Sequence, residues 1–438
     1  MKKINNSFNK LKKHLSHKKS NKPIIDVSLE DGTFVFYHLN HPKVVSQFIE
    51  KLRKSINQGA NSFLLDFSRI NNQIFPNAIT PIAGILDYYR EKEISFDYSD
   101  CYSPSIVRQS RLLNPTPFDS SLNVLNKVWK FSSSDEVARL VDAYISELSK
   151  NDTFFKGILG TTEWCLNEVM DNVIQHSLTS VGYVMGQIHT KTKHIAFTVY
   201  DTGQGIYNSL KDTMHKPSSE VDAITLAIQE SVTRDKTIGQ GNGLFGLHQI
   251  CKQGNGKLRI TSGRGYYSYS KEETNTYSNI PCLSKKAKST TVDFIVDYSK
   301  DYSIEEALIF GGKRHNLVNL RIENQEDIKG NITFNMKEKS EGTGTRQSAL
   351  RVKNEIMNIL VEEKKKIILD FNGIAVISSS FADELIAKLF CDLGLFQFTQ
   401  VIQITGLNDT QQSVLQHSVI QRIIENYPEY YLDDKILS

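Results

Sequence analysis

The chain has few cysteines and lacks any long apolar run, and each of these features excludes a class of protein. Five cysteines are scattered over 438 residues without paired spacing, which excludes a disulfide scaffold and gives no metal signature. No stretch of about 18 apolar residues is present, so we expect no membrane-spanning helix. The first residues are rich in lysine and contain no apolar segment, so we expect no signal peptide and a cytoplasmic location.

Charge is also nearly balanced, with 52 lysines and arginines against 49 aspartates and glutamates. A net charge of +3 gives no global sign of nucleic-acid binding. The basic start, residues 1–22, is compatible with a contact to nucleic acid or anionic lipid, or with a disordered, solubilising tail, and we favour the tail. We therefore regard nucleic acid as an unfavoured partner.

The first of three motifs lies in a predicted helix. Apolar residues recur at helical spacing between residues 160 and 178, and Glu168, Asn172 and His176 are four residues apart, so they share one helix face. A carboxylate in this position can take a proton from an attacking water, and an amide oxygen can ligate Mg²⁺. On periodicity alone, a solvated polar stripe on an amphipathic helix is the simpler interpretation.

The second motif follows a predicted strand at residues 194–200. Asp201, Gly203 and Gly205 form the pattern Asp-x-Gly-x-Gly, and Ile206 follows them. The strand leaves a carboxylate at its tip, and the glycines let the backbone turn sharply beside it. Taken alone, the pattern is typical of a glycine-rich turn.

The third motif is a run of glycines directly before a predicted apolar helix at residues 244–251. Backbone N–H groups that converge before a helix attract an anion, which predicts a phosphate-binding loop, with a flexible hinge as the alternative. No Gly-Lys-Ser/Thr follows, so the pattern differs from that of a P-loop. The motif contains Gly239, Gly241, Asn242, Gly243 and Leu244.

In this order, the three motifs resemble those of the GHKL superfamily, which includes gyrase, mismatch-repair ATPases, heat-shock chaperones, histidine kinases and anti-sigma-factor kinases. The resemblance extends over roughly residues 120 to 300 and implies a pocket for ATP and Mg²⁺. It makes Glu168 the catalytic base, Asn172 the Mg²⁺ ligand and a part of the ATP site, and Asp201 the acceptor for the adenine amino group. The remaining ATP-binding residues that it implies are Gly203, Gly205, Ile206, Gly239, Gly241, Asn242, Gly243, Leu244 and Thr290.

Two positions depart from the family pattern. Ser289 stands where the last strand of the family begins with a glycine, directly before Thr290. Gln175 stands where many histidine kinases have a basic residue, which argues against a standard histidine kinase.

The C-terminal part alternates between predicted helices and strands, with a helix over residues 346–362. Ser378-Ser-Ser380 then precede another helix that begins Phe-Ala-Asp-Glu. This segment resembles a STAS-like domain, in which a serine at this turn can accept a phosphoryl group; by position that serine is Ser380. Ser380 followed by Asp383 also fits a helix N-cap, and we favour the cap.

The N-terminal part repeats this pattern with a strand at residues 61–67 and a helix at residues 78–91. Pro76-Asn77 replace the serines, so no acceptor is expected there. The predicted fold is a central GHKL α/β sandwich, with helices on one face of a mixed sheet, flanked by two small STAS-like α/β domains. The predicted divisions are a basic tail at 1–22, a degenerate STAS-like domain at 23–117, an ATP-binding domain at 118–300, a linker at 301–327 and a STAS-like domain at 328–438.

Three functions are compatible with these features. The first is an ATPase whose lid state is relayed to the STAS-like domains to control protein partners, with self-association as a further option. The second is a serine protein kinase of the anti-sigma type, and the third is a scaffold that binds ATP without hydrolysing it. Glu168 argues against the scaffold, because an inert site has no need of a base.

Overall fold

The computed structural model has mixed α/β architecture, as predicted, with three hydrophobic cores. The cores are built around a four-stranded, an eight-stranded and a three-stranded sheet. The structure describes residues 26–70, 73–98, 104–178, 181–229, 232, 243–284, 287–301, 309–310, 313–314, 330–340, 342–363 and 365–426.

The N-terminal unit, residues 26–113, is the four-stranded sheet with its helices. Its first two strands are antiparallel, and the second, third and fourth are parallel because a helix lies in each crossover. Its elements are β1 (Val27–Glu30), β2 (Thr33–Phe36), α1 (Lys43–Asn57), β3 (Ser62–Asp66), α2 (Pro76–Arg90), β4 (Ser95–Tyr98) and α3 (Ser105–Gln109).

The central sheet is mixed and has the strand order β11-β10-β9-β12-β8-β7-β6-β5. The pair β5–β6 is parallel, and the other neighbouring strands are antiparallel. Its elements are β5 (Thr116–Pro117), β6 (Trp129–Phe131), α4 (Ser134–Asn151), α5 (Ile158–His176), β7 (Gly182–His189), β8 (His194–Asp201), α6 (Gly205–Leu210), α7 (Glu220–Ala227), α8 (Gly243–Gln253), β9 (Lys257–Ser262), β10 (Gly265–Ser270), β11 (Glu273–Tyr277) and β12 (Thr290–Asp297).

Both faces of the central sheet are covered, so β7 and β8 are buried along almost their whole length. The helices α4, α5 and α8 pack on one face, where Phe197 and Val199 belong to the central core. The other face receives α2 of the N-terminal unit, and Tyr183, Met185 and Tyr200 belong to the core of that unit. The N-terminal unit and the central sheet are therefore joined through a shared apolar core.

The C-terminal unit, residues 330–426, has three parallel strands in the order β15-β16-β17. Its strand–helix–strand–helix–strand order matches that of β2 to β4 in the N-terminal unit. A two-stranded ribbon, β13 (Ile309–Phe310) with β14 (Lys313–Arg314), lies before it in the chain. The elements of the unit are β15 (Ile332–Asn335), α9 (Met336–Lys339), α10 (Arg346–Glu362), β16 (Ile367–Asp370), α11 (Ser379–Ala382), a π-helical turn (Asp383–Ala387), α12 (Lys388–Val401), β17 (Ile402–Thr405) and α13 (Asp409–Asn426).

The helix predicted over residues 346–362 is confirmed, but the predicted cap at Ser380 is wrong. Ser378 is the N-cap of α11, because it is the last extended residue and its Oγ accepts the N–H of Phe381 at 3.1 Å. Ser380 lies inside the first helical turn. The Asp383 carboxylate instead pairs with Arg422 at 2.7 and 2.9 Å.

None of the helices within the described ranges has the length and apolar character needed to cross a bilayer.

Candidate functional site

Helix α5 carries the first motif on the side of its buried face. Its N-cap, Gly157, has φ 83°, a left-handed conformation that favours glycine. Glu168 and Asn172 are both half-buried. Burial, followed by the negative charge of Asp171, raises the pKa of Glu168 above its ordinary value. A carboxylate with a raised pKa is a better proton acceptor once it is ionised.

Asp201 lies at the end of β8 and is only 5 % exposed. Burial raises its pKa to about 7, against the opposing effect of the Gly203 N–H, which donates to Asp201 Oδ1 at 2.7 Å. Thr290, the first residue of β12, lies directly opposite Asp201 in the sheet register. One oxygen of this buried carboxylate is thus used by the backbone, while the strand beside it offers a hydroxyl.

Ser262 belongs to this end of the site and was missed in the sequence analysis. Its Oγ accepts the N–H of Ile206 at 2.8 Å and lies 3.2 Å from Thr290 Oγ1. Ser262 is the last residue of β9 and reaches Ile206, 56 positions earlier, only because β9 pairs with β12. No local pattern around Ser262 marks it as a site residue.

The turn after Asp201 is hydrogen-bonded to the end of α5 on one side and to the residues before β12 on the other. The Gln204 N–H donates to Ser177 O at 2.9 Å, which fixes the end of α5. A side chain at Gly203 would overlap Ser177 and Asp201, so only glycine fits there. The Gly203 carbonyl in turn accepts the N–H groups of Lys288 and Ser289 at 2.9 and 3.2 Å.

The third motif approaches the first at the start of α8. Gly243 lies against Glu168, and any side chain at Gly243 would overlap the Glu168 carboxylate. Leu244 is partly buried against the central core. Gly239, Gly241 and Asn242 lie outside the described residues.

The site therefore has two ends along α5. Glu168 and Ser177 are nine residues apart in the sequence, which corresponds to about 14 Å at the rise of an α-helix. One end combines Glu168 with the N-terminus of α8, where an anion is favoured. The other end combines the buried carboxylate of Asp201 with the hydroxyl groups of Ser262 and Thr290. These hydrogen-bonding groups suit a polar heterocyclic ring such as a nucleobase.

Two family models match this chain. Residues 162–297 match the family described as histidine kinase-, DNA gyrase B- and HSP90-like ATPases, and the match contains all three motifs. Residues 348–412 match a family described as a STAS-like domain of unknown function. No curated protein matches the chain. The predicted resemblance is thus confirmed: residues 162–297 are an ATPase domain of the GHKL type, a family that binds ATP, and residues 348–412 are a STAS-like domain.

Proposed function

We propose that this chain binds ATP with Mg²⁺, hydrolyses it, and relays its nucleotide state to the STAS-like units to control protein partners. The observation that supports the proposal most directly is the approach of Gly243 to the Glu168 carboxylate. This approach brings the start of α8, which would hold phosphate oxygens, next to the group that would act as base. In this proposal the ATP-binding domain spans residues 118–300, with flanking units at 23–117 and 328–438.

At the end of the site that contains Asp201, the Asp201 carboxylate would accept a hydrogen bond from the adenine amino group. Guanine carries an oxygen at that position, which a carboxylate repels, so the residue would select adenine. Gly203 and Gly205 would keep the turn open, and Ile206 and Thr290 would complete the pocket. The fixed positions of Ile206 and Thr290 around Ser262 support this assignment.

At the phosphate end, Asn172 is suited to Mg²⁺, a hard cation that prefers oxygen ligands and keeps several waters. In the parts of the chain that the structure describes, no cluster of three His, Cys, Asp or Glu side chains could hold a metal ion. Phosphate oxygens and water would therefore supply the other ligands. Gly243 and Leu244 would continue the phosphate loop that we assign to Gly239, Gly241 and Asn242.

In the proposed reaction, Glu168 takes a proton from a water molecule as the water oxygen bonds to the γ-phosphorus. The bond between the γ-phosphorus and the bridging oxygen breaks, and that oxygen stays with ADP. The raised pKa of Glu168 supports its role as the base.

Transfer of the phosphoryl group to a serine of the C-terminal unit is the second candidate. The observation that favours it is that Ser378 caps α11, so the hydroxyl of Ser380 is released from that role. Ser380 Oγ lies 3.0 Å from Ser378 Oγ, and the intervening Ser379 is exposed. A serine hydroxyl would then replace water as the nucleophile.

Incubation of the full-length protein with radiolabelled γ-ATP tests these reactions together. Free phosphate supports hydrolysis, labelled protein that disappears in Ser380→Ala supports the kinase, and bound but unreacted ATP supports a scaffold. We expect free phosphate, and a loss of about 10²–10⁴-fold in rate for Glu168→Ala. Gln175→Ala, at an exposed position of the same helix, is the matched control.

A Mg²⁺ titration tests the proposed ligand separately. In Asn172→Ala we expect ATP affinity to lose most of its dependence on Mg²⁺ while the far-UV spectrum is unchanged. An ATP affinity that rises with Mg²⁺ as in the wild type would remove Asn172 from the proposed site.

A further inference from the structure

The C-terminal unit reaches the central domain through helix α10, which packs on α4. Arg351 of α10 forms a bidentate ion pair with Glu147 of α4, with distances of 2.9 and 2.8 Å. Glu147 is 8 % exposed. Burial alone would raise the pKa of Glu147, but hydrogen bonds from Arg351, Asn151 and Asn123 outweigh it and lower the pKa. The carboxylate therefore stays charged, and the pair is oriented by both of its oxygens.

One turn and two turns further along α10, asparagines bind the backbone at the end of α4. Asn358 Nδ2 donates to the carbonyls of Ser149 and Asp152 at 3.0 and 2.9 Å, and its Oδ1 accepts the Phe154 N–H at 2.8 Å. Asn358 is only 4 % exposed. Its single amide thus holds both the end of α4 and the residues that lead into α5. Asn354 adds a bond to the Lys150 carbonyl at 3.2 Å.

Glu362, the last residue of α10, binds the N-cap residue of α5, which has no capping side chain of its own. Its Oε1 accepts the N–H of Gly157 at 2.7 Å across 205 residues of sequence. Gly157 is the N-cap residue of α5, and as a glycine it has no side chain to cap the helix. A carboxylate at this end is also favoured by the helix dipole. The residue at which the helix that bears Glu168 and Asn172 begins is thus held by another part of the chain.

We propose that the polar face of α10, formed by Arg351, Asn354, Asn358 and Glu362, is a docking surface for the α4–α5 corner, and that Asn358 and Glu362 are positioning residues for α5. The inference rests on the proposed function, because it assigns the groups that act on ATP to α5. Release of α10 frees the first turn of α5 and shifts Glu168 relative to Gly243. Conversely, ATP bound along α5 changes how firmly α10 is held, so the C-terminal unit senses the nucleotide.

The chemistry of the contact suits such a role. The contacts described above are hydrogen bonds and an ion pair, and each donor has an acceptor on the other unit. Polar contacts of this kind are typical of domains that separate and re-form in water. Because Asn358 and Glu362 bind backbone groups, they respond to movement of the α4–α5 connection itself.

Variants of the full-length chain test this proposal. Asn358→Ala and Glu362→Ala remove the bonds to Phe154 and Gly157, whereas Glu362→Gln keeps an acceptor oxygen. Glu363→Ala is the matched control, because this neighbouring carboxylate pairs with Lys365 at 3.2 Å instead. The measurements are hydrogen exchange of the Phe154 and Gly157 amides, the Kd of ATP with Mg²⁺, and kcat.

In the two alanine variants we expect the amide that loses its acceptor to exchange about fivefold faster. We expect kcat to fall by about 10-fold to 100-fold, because small displacements of a catalytic group are costly, with little change in Kd. Glu363→Ala should behave as the wild type, and Glu362→Gln should keep more of the wild-type protection and kcat than Glu362→Ala, because it keeps the acceptor oxygen and loses only the charge. A merely structural contact would change exchange and melting temperature but leave kcat per folded molecule unchanged.

Each contrary result is distinct. Unchanged exchange in both alanine variants overturns the docking surface, and faster exchange with unchanged kcat overturns the positioning role. If the wild type binds ATP without turnover, the proposed hydrolysis fails, and hydrogen exchange of the α10 amides with and without Mg²⁺ and ATP decides the inference. A nucleotide-dependent change in exchange that Asn358→Ala abolishes supports the inference. No change in exchange overturns it. If ATP does not bind at all, the proposed function and the positioning role both fail, while Phe154 and Gly157 still report docking.

Discussion

At the scale of single residues, Asp201 has two oxygens for two donors. One oxygen accepts the Gly203 N–H, which leaves the other for the proposed adenine amino group. In Asp201→Asn the amide has one acceptor oxygen, so its NH₂ group must face one of the two donors. We expect ATP affinity to fall about tenfold or more, measured by calorimetry. The exposed Asp212→Asn is the control, and an equal affinity in both variants would refute the adenine assignment.

The pKa of about 7 at Asp201 predicts pH-dependent binding. The proposed adenine contact needs the ionised form of Asp201. Below about pH 7 the Asp201 carboxyl group must release a proton when ATP binds, so ATP affinity should fall as the pH drops. The folded protein holds a proton between pH 3.8 and 7 that the unfolded chain has lost, so this group makes the free energy of unfolding decrease as the pH rises through that window. Calorimetry from pH 5.5 to 8 on wild type and Asp201→Asn isolates the effect, because titration of ATP itself is common to both.

Ser289 has φ +46°, in the left-handed region that favours glycine. The resembled family has glycine there, which the backbone conformation explains. Ser289→Gly should raise the free energy of unfolding by about 1 kcal/mol, and Ser289→Val should lower it. Chemical denaturation of both variants checks this, and destabilisation by glycine would show that the serine hydroxyl outweighs the backbone strain.

At the scale of elements, α2 meets β8 at a glycine. A Cβ atom at Gly84 would lie 2.5 Å from Tyr200 Cδ1 and 3.0 Å from Tyr183 Cδ2. Gly84→Ala should therefore lower the free energy of unfolding by about 1–3 kcal/mol. It should also weaken ATP binding, because Tyr200 directly precedes Asp201. The control is Gly344→Ala, where the new methyl group enters open space, and equal stability of both variants would contradict the close packing.

Local patterns predicted the elements but not their contacts. The spacing of Glu168 and Asn172 placed them on one helix, and α10 was predicted over its full length because its apolar pattern is bounded clearly. The bond between Asn358 and Phe154 spans 204 residues, and neither neighbourhood marks it. By residue type, each of the three consecutive serines at 378–380 could cap a helix, and only the backbone conformation distinguishes Ser378 from Ser380.

At the scale of the whole molecule, the two flanking units are attached by different forces. The N-terminal unit shares an apolar core with the central sheet, whereas the C-terminal unit has its own core and a polar contact through α10. We expect calorimetry to resolve two transitions, with ATP and Mg²⁺ raising mainly that of the central sheet and N-terminal unit. A single transition with equal calorimetric and van't Hoff enthalpies would contradict this division.

The chain is consequently modular at one end only. If the chain were divided between residues 301 and 330 and the C-terminal unit removed, the newly exposed groups would include Arg351, Asn358 and Glu147, which water solvates well. If the chain were divided between residues 113 and 116 and the N-terminal unit removed, the central sheet would lose α2. The rings of Tyr183 and Tyr200 would then be exposed to solvent. The C-terminal unit could therefore be replaced without exposing an apolar core, but the bonds of Asn358 and Glu362 to the central domain would be lost with it. The N-terminal copy of the same topology cannot be replaced in this way, because its apolar core continues into the central sheet.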